Sequence, residues 1–210
     1  MRRGKANRMT YPNNSSTGGY LLPQKQPSPF GKLSFEDFLQ TVFVGVSGLP
    51  GDLVRPKWQI DPPPNPPIET NWLAIALAED DADTFAYSSV DQNGNNQFMR
   101  MEELAVQCTF NGPSSHELMR VVRDGLQLGQ NREALKSVKM DFVSTTKGVR
   151  VPDLLNERWV NRWEMTCYLR REDLRVYPIL NFVSGSGTVI LNNQGGGVTS
   201  IPVEVNSEET

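Results

Sequence analysis

Residues 101–183 constrain the fold most, because this stretch combines strand-type alternation with clear helix signals. Residues 104–110 alternate apolar and polar side chains, which predicts a strand with one apolar face. Gly112-Pro113 ends that strand, since proline cannot continue a sheet ladder. Ser114 followed by Glu117 has the spacing of a capping box and predicts the start of a helix. The stretch therefore describes a compact α+β unit.

The second half of this stretch predicts a short helix and several strands. The helix after Ser114 is expected to end at Gly129, and a shorter helix is expected over residues 132–137. Strands are predicted for residues 138–144, 158–170 and 174–184. One face of the long strand would carry Trp159, Trp163, Met165, Cys167 and Leu169, and the other Arg158, Arg162, Glu164, Thr166, Tyr168 and Arg170.

The preceding segment begins with a predicted helix that should form a main part of the core. Ser34 is its expected N-cap, and Gly48 followed by Pro50-Gly51 ends it. Residues 49–70 contain seven prolines, so they predict a rigid surface crossover, with residues 54–60 as a possible edge strand containing Trp58. A proline-rich ligand for a signalling domain is the alternative interpretation. Two strands follow, over residues 72–77 and 84–90.

The predicted fold class is α+β: a mostly antiparallel sheet packed by two or three helices, with extended N- and C-terminal arms. Residues 1–33 are rich in Gly, Pro, Ser and Asn and are expected to form a flexible arm. The core is assigned to residues 34–183, and residues 184–210 to a Gly-rich C-terminal β arm. Two short β-type runs in that arm predict a terminal hairpin or a strand that adds to another sheet.

Charge gives no support for nucleic-acid binding by the whole chain, since the net charge is −3 and the pI is near 5.3. Four cations near the N-terminus leave a docking role for that tail open: Arg2, Arg3, Lys5 and Arg8. No apolar run has the length of a signal peptide or of a membrane span, so we expect synthesis in a cytoplasm and no membrane partner.

Residue types that carry chemistry are sparse. Cys108 and Cys167 fall on apolar strand faces and are expected to be buried thiols; a disulfide is conceivable if the strands are neighbours. With His116 as the one histidine, a zinc site lacks ligands, and a general-base role for His116 is the minor alternative to a surface residue. Residues 91–96 resemble a calcium loop only superficially. We therefore expect no catalytic, cofactor-binding or metal site.

Two charged clusters remain as candidate contact surfaces. The acidic one is expected on a turn between strands, where it could contact a basic partner or, alternatively, hold a divalent metal: Glu79, Asp80, Asp81 and Asp83. The basic one lies on the long predicted strand: Arg158, Arg162 and Arg170. Its simpler interpretation is a solvent face whose arginines pair locally with carboxylates such as Glu164.

The order of these elements resembles the phage neck or tail terminator family. The resemblance rests on residues 103–113, on the following helix with Arg120 and Arg123, and on the segments 157–159 and 163–169, and it covers roughly residues 34–183. Its motifs are structural. The long N-terminal arm and the Gly-rich C-terminal addition depart from the compact family pattern.

The resemblance implies a virion protein that forms a ring, typically hexameric, at the head-proximal end of the tail. Such a ring terminates the tail tube and joins the tail to the head connector, after assembly in the host cytoplasm. The implied partners are copies of itself, tail tube and sheath proteins, and connector proteins, with genome DNA only passing through the lumen. A neighbouring neck or collar ring, a small metal-dependent enzyme using residues 79–83, and a proline-rich binding adaptor remain alternatives.

Overall fold

The computed structural model describes residues 21–155, 157–179, 184–192 and 198–206, with no description of side chains beyond residue 183. The chain forms two compact units. The larger consists of residues 25–87 and 98–175, and the smaller takes its described residues from 1–24, 88–97 and 176–210. The predicted boundaries at residues 33 and 183 stay predictions.

The first helix, α1 (Phe35–Ser47), begins and ends where the sequence predicts. The Ser34 hydroxyl accepts a hydrogen bond from the Asp37 backbone N–H, and the Asp37 carboxylate accepts one from the Ser34 N–H. Gly48 ends the helix in the left-handed conformation at φ 70°, which glycine adopts without strain. The aromatic face of α1 is anchored by Phe43, which is fully buried in the core.

The remaining elements follow in chain order. The helices are α2 (Ser115–Gly125) and α3 (Glu133–Ser137), with short 3-10 turns at Gly51–Leu53 and Gln130–Arg132. The strands are β1 (Val54–Pro56), β2 (Trp72–Ala82), β3 (Tyr87–Val90), β4 (Asn96–Asn111), β5 (Met140–Thr145), β6 (Val149–Arg150), β7 (Asp153–Leu155), β8 (Arg158–Val160), β9 (Arg162–Tyr177), β10 (Ser184–Asn192) and β11 (Val198–Asn206). Among the described residues, this confirms an α+β fold.

The main sheet has the order β1-β2-β4-β9-β5, with β3 paired to β4 and β6 paired to β9. The β1–β2 pair is parallel, whereas β2–β4, β5–β9 and β6–β9 are antiparallel. β7 and β8 form a separate two-stranded hairpin. The sheet is therefore mostly antiparallel, as predicted.

The core lies between the two longer helices and one face of this sheet. β4 and β9 contribute alternate buried side chains to it, and α1 and α2 cover them. The cysteines meet there: Cys108 and Cys167 are free thiols with their Sγ atoms 3.8 Å apart. Burial raises the pKa of Cys108 well above its ordinary value, and the hydrogen bond with Cys167 adds to this effect. Both thiols thus serve as small apolar groups, as the sequence predicts.

Gly112, directly after β4, packs closely against residues 70–71 and hydrogen-bonds to Asn161. Its φ is +109°, and a Cβ there would lie 2.5 Å from the Thr70 carbonyl oxygen. The Gly112 N–H donates to the Asn161 carbonyl, and the Asn71 side chain accepts from the Ser114 N–H. Only glycine fits this conformation and this close approach.

A buried ion pair connects β4 to β9 beneath α1. Glu102 is 5% exposed, and both Nε and Nη2 of Arg171 donate to its Oε2 atom, the first at 2.9 Å. The Arg171 guanidinium also lies 5.2 Å from the centre of the Phe35 ring. Two neighbouring strands and a helix are thereby held by one charged cluster.

The acidic segment is a strand rather than the predicted turn. β2 continues to Ala82 and pairs with residues 102–105 of β4, with a bulge between Leu77 and Glu79. The prediction was wrong because β4 begins at Asn96, well before the alternating run, and so offers backbone partners to charged residues. The chain bends only after Asp83, whose N–H donates to the Met101 carbonyl.

The predicted strand over residues 158–170 is interrupted at Asn161. β8 pairs with β7, so Trp159 is exposed instead of sharing the buried face with Trp163. From residue 162 onward the predicted alternation is correct: Met165, Cys167 and Leu169 are buried. β9 also runs on to Tyr177, where the sequence suggested a separate strand.

Two predicted helix caps are also wrong. Ser114 precedes α2 but makes no side-chain capping bond, because its backbone has φ −102° and ψ 25° instead of extended angles. Its predicted partner Glu117 pairs with Arg120 at 3.3 Å instead. Gly129 does not cap the helix, since α2 ends at Gly125 and Leu126 follows in helical conformation.

The smaller unit contains a C-terminal hairpin, as predicted. β10 and β11 pair antiparallel from Ser184↔Asn206 to Asn192↔Val198. In the same unit the Gln24 N–H donates to the Val176 carbonyl. Most of the predicted N-terminal arm, and the Gly-rich connection at residues 193–197, lie outside the described residues.

We predict that Gly112→Ala lowers the free energy of unfolding by about 2–4 kcal/mol, because a left-handed backbone and a steric overlap are both penalised. Urea unfolding measures this. The control is Gly129→Ala, whose Cβ would meet nothing within 4 Å, and it should change stability by less than about 1 kcal/mol. Equal effects of the two substitutions would contradict the conclusion that position 112 requires glycine.

We predict that removing one partner of the Glu102–Arg171 pair costs about 3 kcal/mol, because the other charge stays in the interior without its partner. The double variant Glu102→Leu/Arg171→Met should be more stable than the sum of the single changes implies. A double-mutant cycle measures the coupling. The exposed pair Glu117–Arg120 is the control and should couple by only about 0.5 kcal/mol; similar values for both pairs would contradict the prediction.

Candidate assembly surface

The sheet face opposite the helices is polar and partly open. The register alternates along β4 and β9, so the residues between the core side chains point to this second face. They include Glu103, Gln107, Thr166 and Tyr168, all half-buried or more exposed. A sheet face of this composition can pair with a polar protein surface.

One end of this face brings predicted acidic and basic residues together. Asp81, Asp83, Glu103 and Arg170 line a hollow of about 310 Å³. Arg170 therefore lies beside the acidic segment of its own chain. The sequence predicts the acidic cluster and the arginines as two separate contact surfaces, because Asp83 and Arg170 are almost ninety positions apart.

Arg162 is neutralised within its own chain. Its Nη1 lies 2.9 Å from the Asp153 carboxylate, and its Nη2 lies 2.9 Å from the Glu164 carboxylate. The local pairing with Glu164 is the simpler of the two interpretations of the arginines. Arg158, by contrast, is exposed and approaches only Glu69, at 4.0 Å. Arg158 is thus available to a partner, in contrast to Arg162.

A second hollow, of about 320 Å³, lies where the proline-rich crossover passes over the sheet near Pro66 and Pro67. Lys57 reaches into it, and its Nζ donates to Gln107 Oε1 at 3.0 Å. Burial lowers the pKa of Lys57 from its ordinary 10.5, while the nearby Glu164 carboxylate acts in the opposite direction. The lining of the hollow contains two cations, Lys57 and Arg162, and two carboxylates, Asp153 and Glu164. The charges of the hollow therefore nearly cancel.

Large apolar side chains on the surface were missed by the sequence analysis. Trp159 is 71% exposed, and its cross-strand partner Leu154 on β7 is exposed beside it. Trp58 is 74% exposed and follows the short edge strand β1. The exposure of Trp58 could have been predicted, because Trp58 belongs to the proline-rich crossover and such segments run over the surface. Trp159 gave no such signal, because its spacing matches the buried side of β9.

The residues considered for chemistry have structural partners. The His116 ring stacks on Trp163 with centroids 4.3 Å apart. The Asp91 carboxylate accepts hydrogen bonds from the backbone of Asn93 and from Asn95, and these bonds, chiefly that of the Asn95 side chain, lower the pKa of Asp91. In the part of the chain that the structure describes, no three His, Cys, Asp or Glu residues are grouped as metal ligands.

Comparison with known proteins gives one family. A family model described as phage neck terminator protein matches residues 34–194, which is more than half of the chain. No curated protein matches the sequence significantly. Across the described residues, the helices are all too short or too polar to cross a membrane.

We predict that Lys57 makes a contribution to stability that increases with pH between its lowered pKa and 10.5. The folded protein disfavours the Lys57 ammonium, so the unfolded chain binds more protons between the lowered pKa and 10.5, and the penalty disappears as the pH rises. Lys57→Met should reduce this rise, measured as urea unfolding between about pH 7 and about pH 10. The exposed Lys136→Met is the control; a Lys57→Met profile parallel to that of the parent protein would contradict the prediction.

Proposed function

Because the chain belongs to the phage neck terminator protein family, we propose that this phage neck protein forms a closed ring that terminates the tail tube and joins the tail to the head connector. The observation that carries the proposal is the family match over residues 34–194. The proposed ring is hexameric, and its proposed partners are the tail tube, the sheath where there is one, and connector proteins. DNA passes through its lumen without specific recognition.

The surfaces of the chain support a role in assembly. The hairpin of β7 and β8 exposes the cross-strand pair Leu154 and Trp159, and exposed apolar surface of this kind is characteristic of protein contacts. The sheet also ends in edge strands, β1 on one side and β5 on the other. Rings require two different surfaces on each subunit that fit each other, and exposed edges and hairpins can supply them.

The predicted charged contacts belong to the same proposal. Glu79, Asp80 and Asp81 lie exposed on β2, and Arg158 lies exposed on β8, so these four can meet a neighbouring subunit directly. Arg162 contributes through its support of Asp153 and Glu164, since its own charge is already paired. Asp83 and Arg170 take part as the rim of the acidic hollow.

We further propose that the protein has no catalytic role. The family is one of structural neck proteins. His116 is stacked on Trp163 in the first turn of α2, and both thiols are buried.

We predict concentration-dependent rings of one size by native mass measurement and electron microscopy, and rings seated on the ends of tail tubes when tubes are added. The physical reason is that identical heterologous contacts close on themselves when the rotation between subunits permits. Monomers at every concentration would contradict ring formation. Rings that bind connectors but never tubes would instead indicate a collar adaptor.

We predict that Asp81→Lys and Arg158→Glu each weaken ring formation, because each reverses an exposed charge of the proposed interface. Lys136→Glu, an exposed charge reversal on the short helix α3, is the control. Sedimentation equilibrium measures the change. If the two residues meet each other across the interface, the double variant recovers association; loss of association by the control as well would argue for a general charge effect.

A further inference from the structure

The acidic strand β2 has an open backbone edge. β1 pairs with β2 only at residues 73–75, and the Lys57 N–H adds one bond to the Ile75 carbonyl. From Leu77 to Ala82, no strand among the described residues pairs with β2 on that side. This stretch extends for roughly 20 Å at about 3.3 Å per residue, which is the length of an ordinary β-strand.

An apolar groove of about 310 Å³ adjoins this edge. Leu39 and Ile75 are buried, and Leu77 and the Trp58 side chain add to the lining. A groove of this kind beside a free strand edge suits an extended peptide, because the edge supplies backbone hydrogen bonds and the groove receives alternate side chains.

Trp58 is held in an unusual conformation at this groove. Its φ is 56°, in the left-handed region that a bulky residue avoids, and strain of this kind typically costs about 1–3 kcal/mol. The strained backbone presents an indole that is 74% exposed. Exposed tryptophan beside a pocket is the residue type that most often anchors a protein contact.

The surroundings of the groove are acidic. Glu36 lines it, and Glu79 and Asp80 follow on the open edge. All three are exposed, and none makes an ion pair with another described residue. Lys57 is the one cation in the lining, and its Nζ is engaged with Gln107. An occupant with positive charge would therefore be favoured.

Residues 1–20 have the matching chemistry. They contain Arg2, Arg3, Lys5 and Arg8 and no Asp or Glu, and a β-compatible run follows at residues 9–11. We infer that residues 1–20 of a neighbouring copy add as a strand to the Leu77–Ala82 edge of β2, with an apolar side chain against Trp58. The inference rests on the proposed ring, in which each subunit gives its segment to one neighbour and receives that of the other.

Photo-crosslinking in the full chain tests the contact directly. Trp58 is replaced by the photoreactive residue benzoylphenylalanine in a copy of natural isotope content, and this copy is assembled with unsubstituted copies labelled with heavy nitrogen. We expect links from position 58 to heavy residues 1–20, identified by mass spectrometry. Links confined to residues 1–20 of the same light copy, or to any other segment, would overturn the inference. The same probe at the exposed Trp159 is the matched control and should not link to residues 1–20.

Charge exchange provides a second test. Glu79→Lys/Asp80→Lys should weaken self-association about tenfold, because the charge of the edge is reversed. Adding Arg3→Glu/Arg8→Glu to that chain should restore association, whereas adding Arg158→Glu should not. If adding Arg158→Glu restores association and adding Arg3→Glu/Arg8→Glu does not, the inference is overturned. The acidic edge would then contact Arg158 on β8 of the neighbouring copy.

Tryptophan truncation separates anchoring from folding. Trp58→Ala should also weaken association about tenfold, as expected for an interface anchor, with unchanged urea unfolding of the monomer.

Native mass measurement, read together with the crosslinks, distinguishes the segment exchange from the proposed function. Rings that persist without links to residues 1–20 would overturn the segment exchange and leave the proposed function standing, whereas monomers under all conditions would overturn both.

Discussion

Burial of one apolar face shared by β2, β4 and β9 is the constraint on which the rest of the structure depends. Two helices must cover this face, and they approach each other closely: a Cβ on Gly125 of α2 would lie 2.8 Å from a methyl group of Val46 on α1. The ion pair of Glu102 and Arg171 then joins the two central strands under α1. With both helices on one side, the opposite face of the sheet is left polar and only partly covered.

That asymmetry leaves exposed surfaces suited to the assembly role proposed above. The helix-covered face holds the core, whereas the open face, the strand edges and the β7–β8 hairpin carry exposed charged and apolar side chains. The chain belongs to the phage neck terminator protein family, and the distribution of exposed groups supports the proposed role in assembly. The single histidine and the two thiols, by contrast, are engaged in packing.

Much of the fold could be predicted from local patterns. The α1 helix, with its Ser34 cap and Gly48 end, follows from spacing and capping alone, as does the burial of Met165, Cys167 and Leu169. The errors in the strands share one cause. Strand length depends on a partner distant in sequence, so charged residues such as Asp80 became strand when β4 lay beside them. Trp159 left the core because Asn161 interrupts the ladder and sends β8 to pair with β7.

The sequence by itself determined the α+β class, the bounds of α1 and the inward face of β9, because these depend on residue type and short-range periodicity. Only the tertiary structure decided which charged side chains are paired within the chain and which are exposed. Arg162 and Arg158 look equivalent in the sequence, yet one is held between Asp153 and Glu164 while the other is exposed. Likewise, the open edge of β2 and the groove at Trp58 exist because β1 stops after three residues, and the sequence alone could not show where that pairing ends.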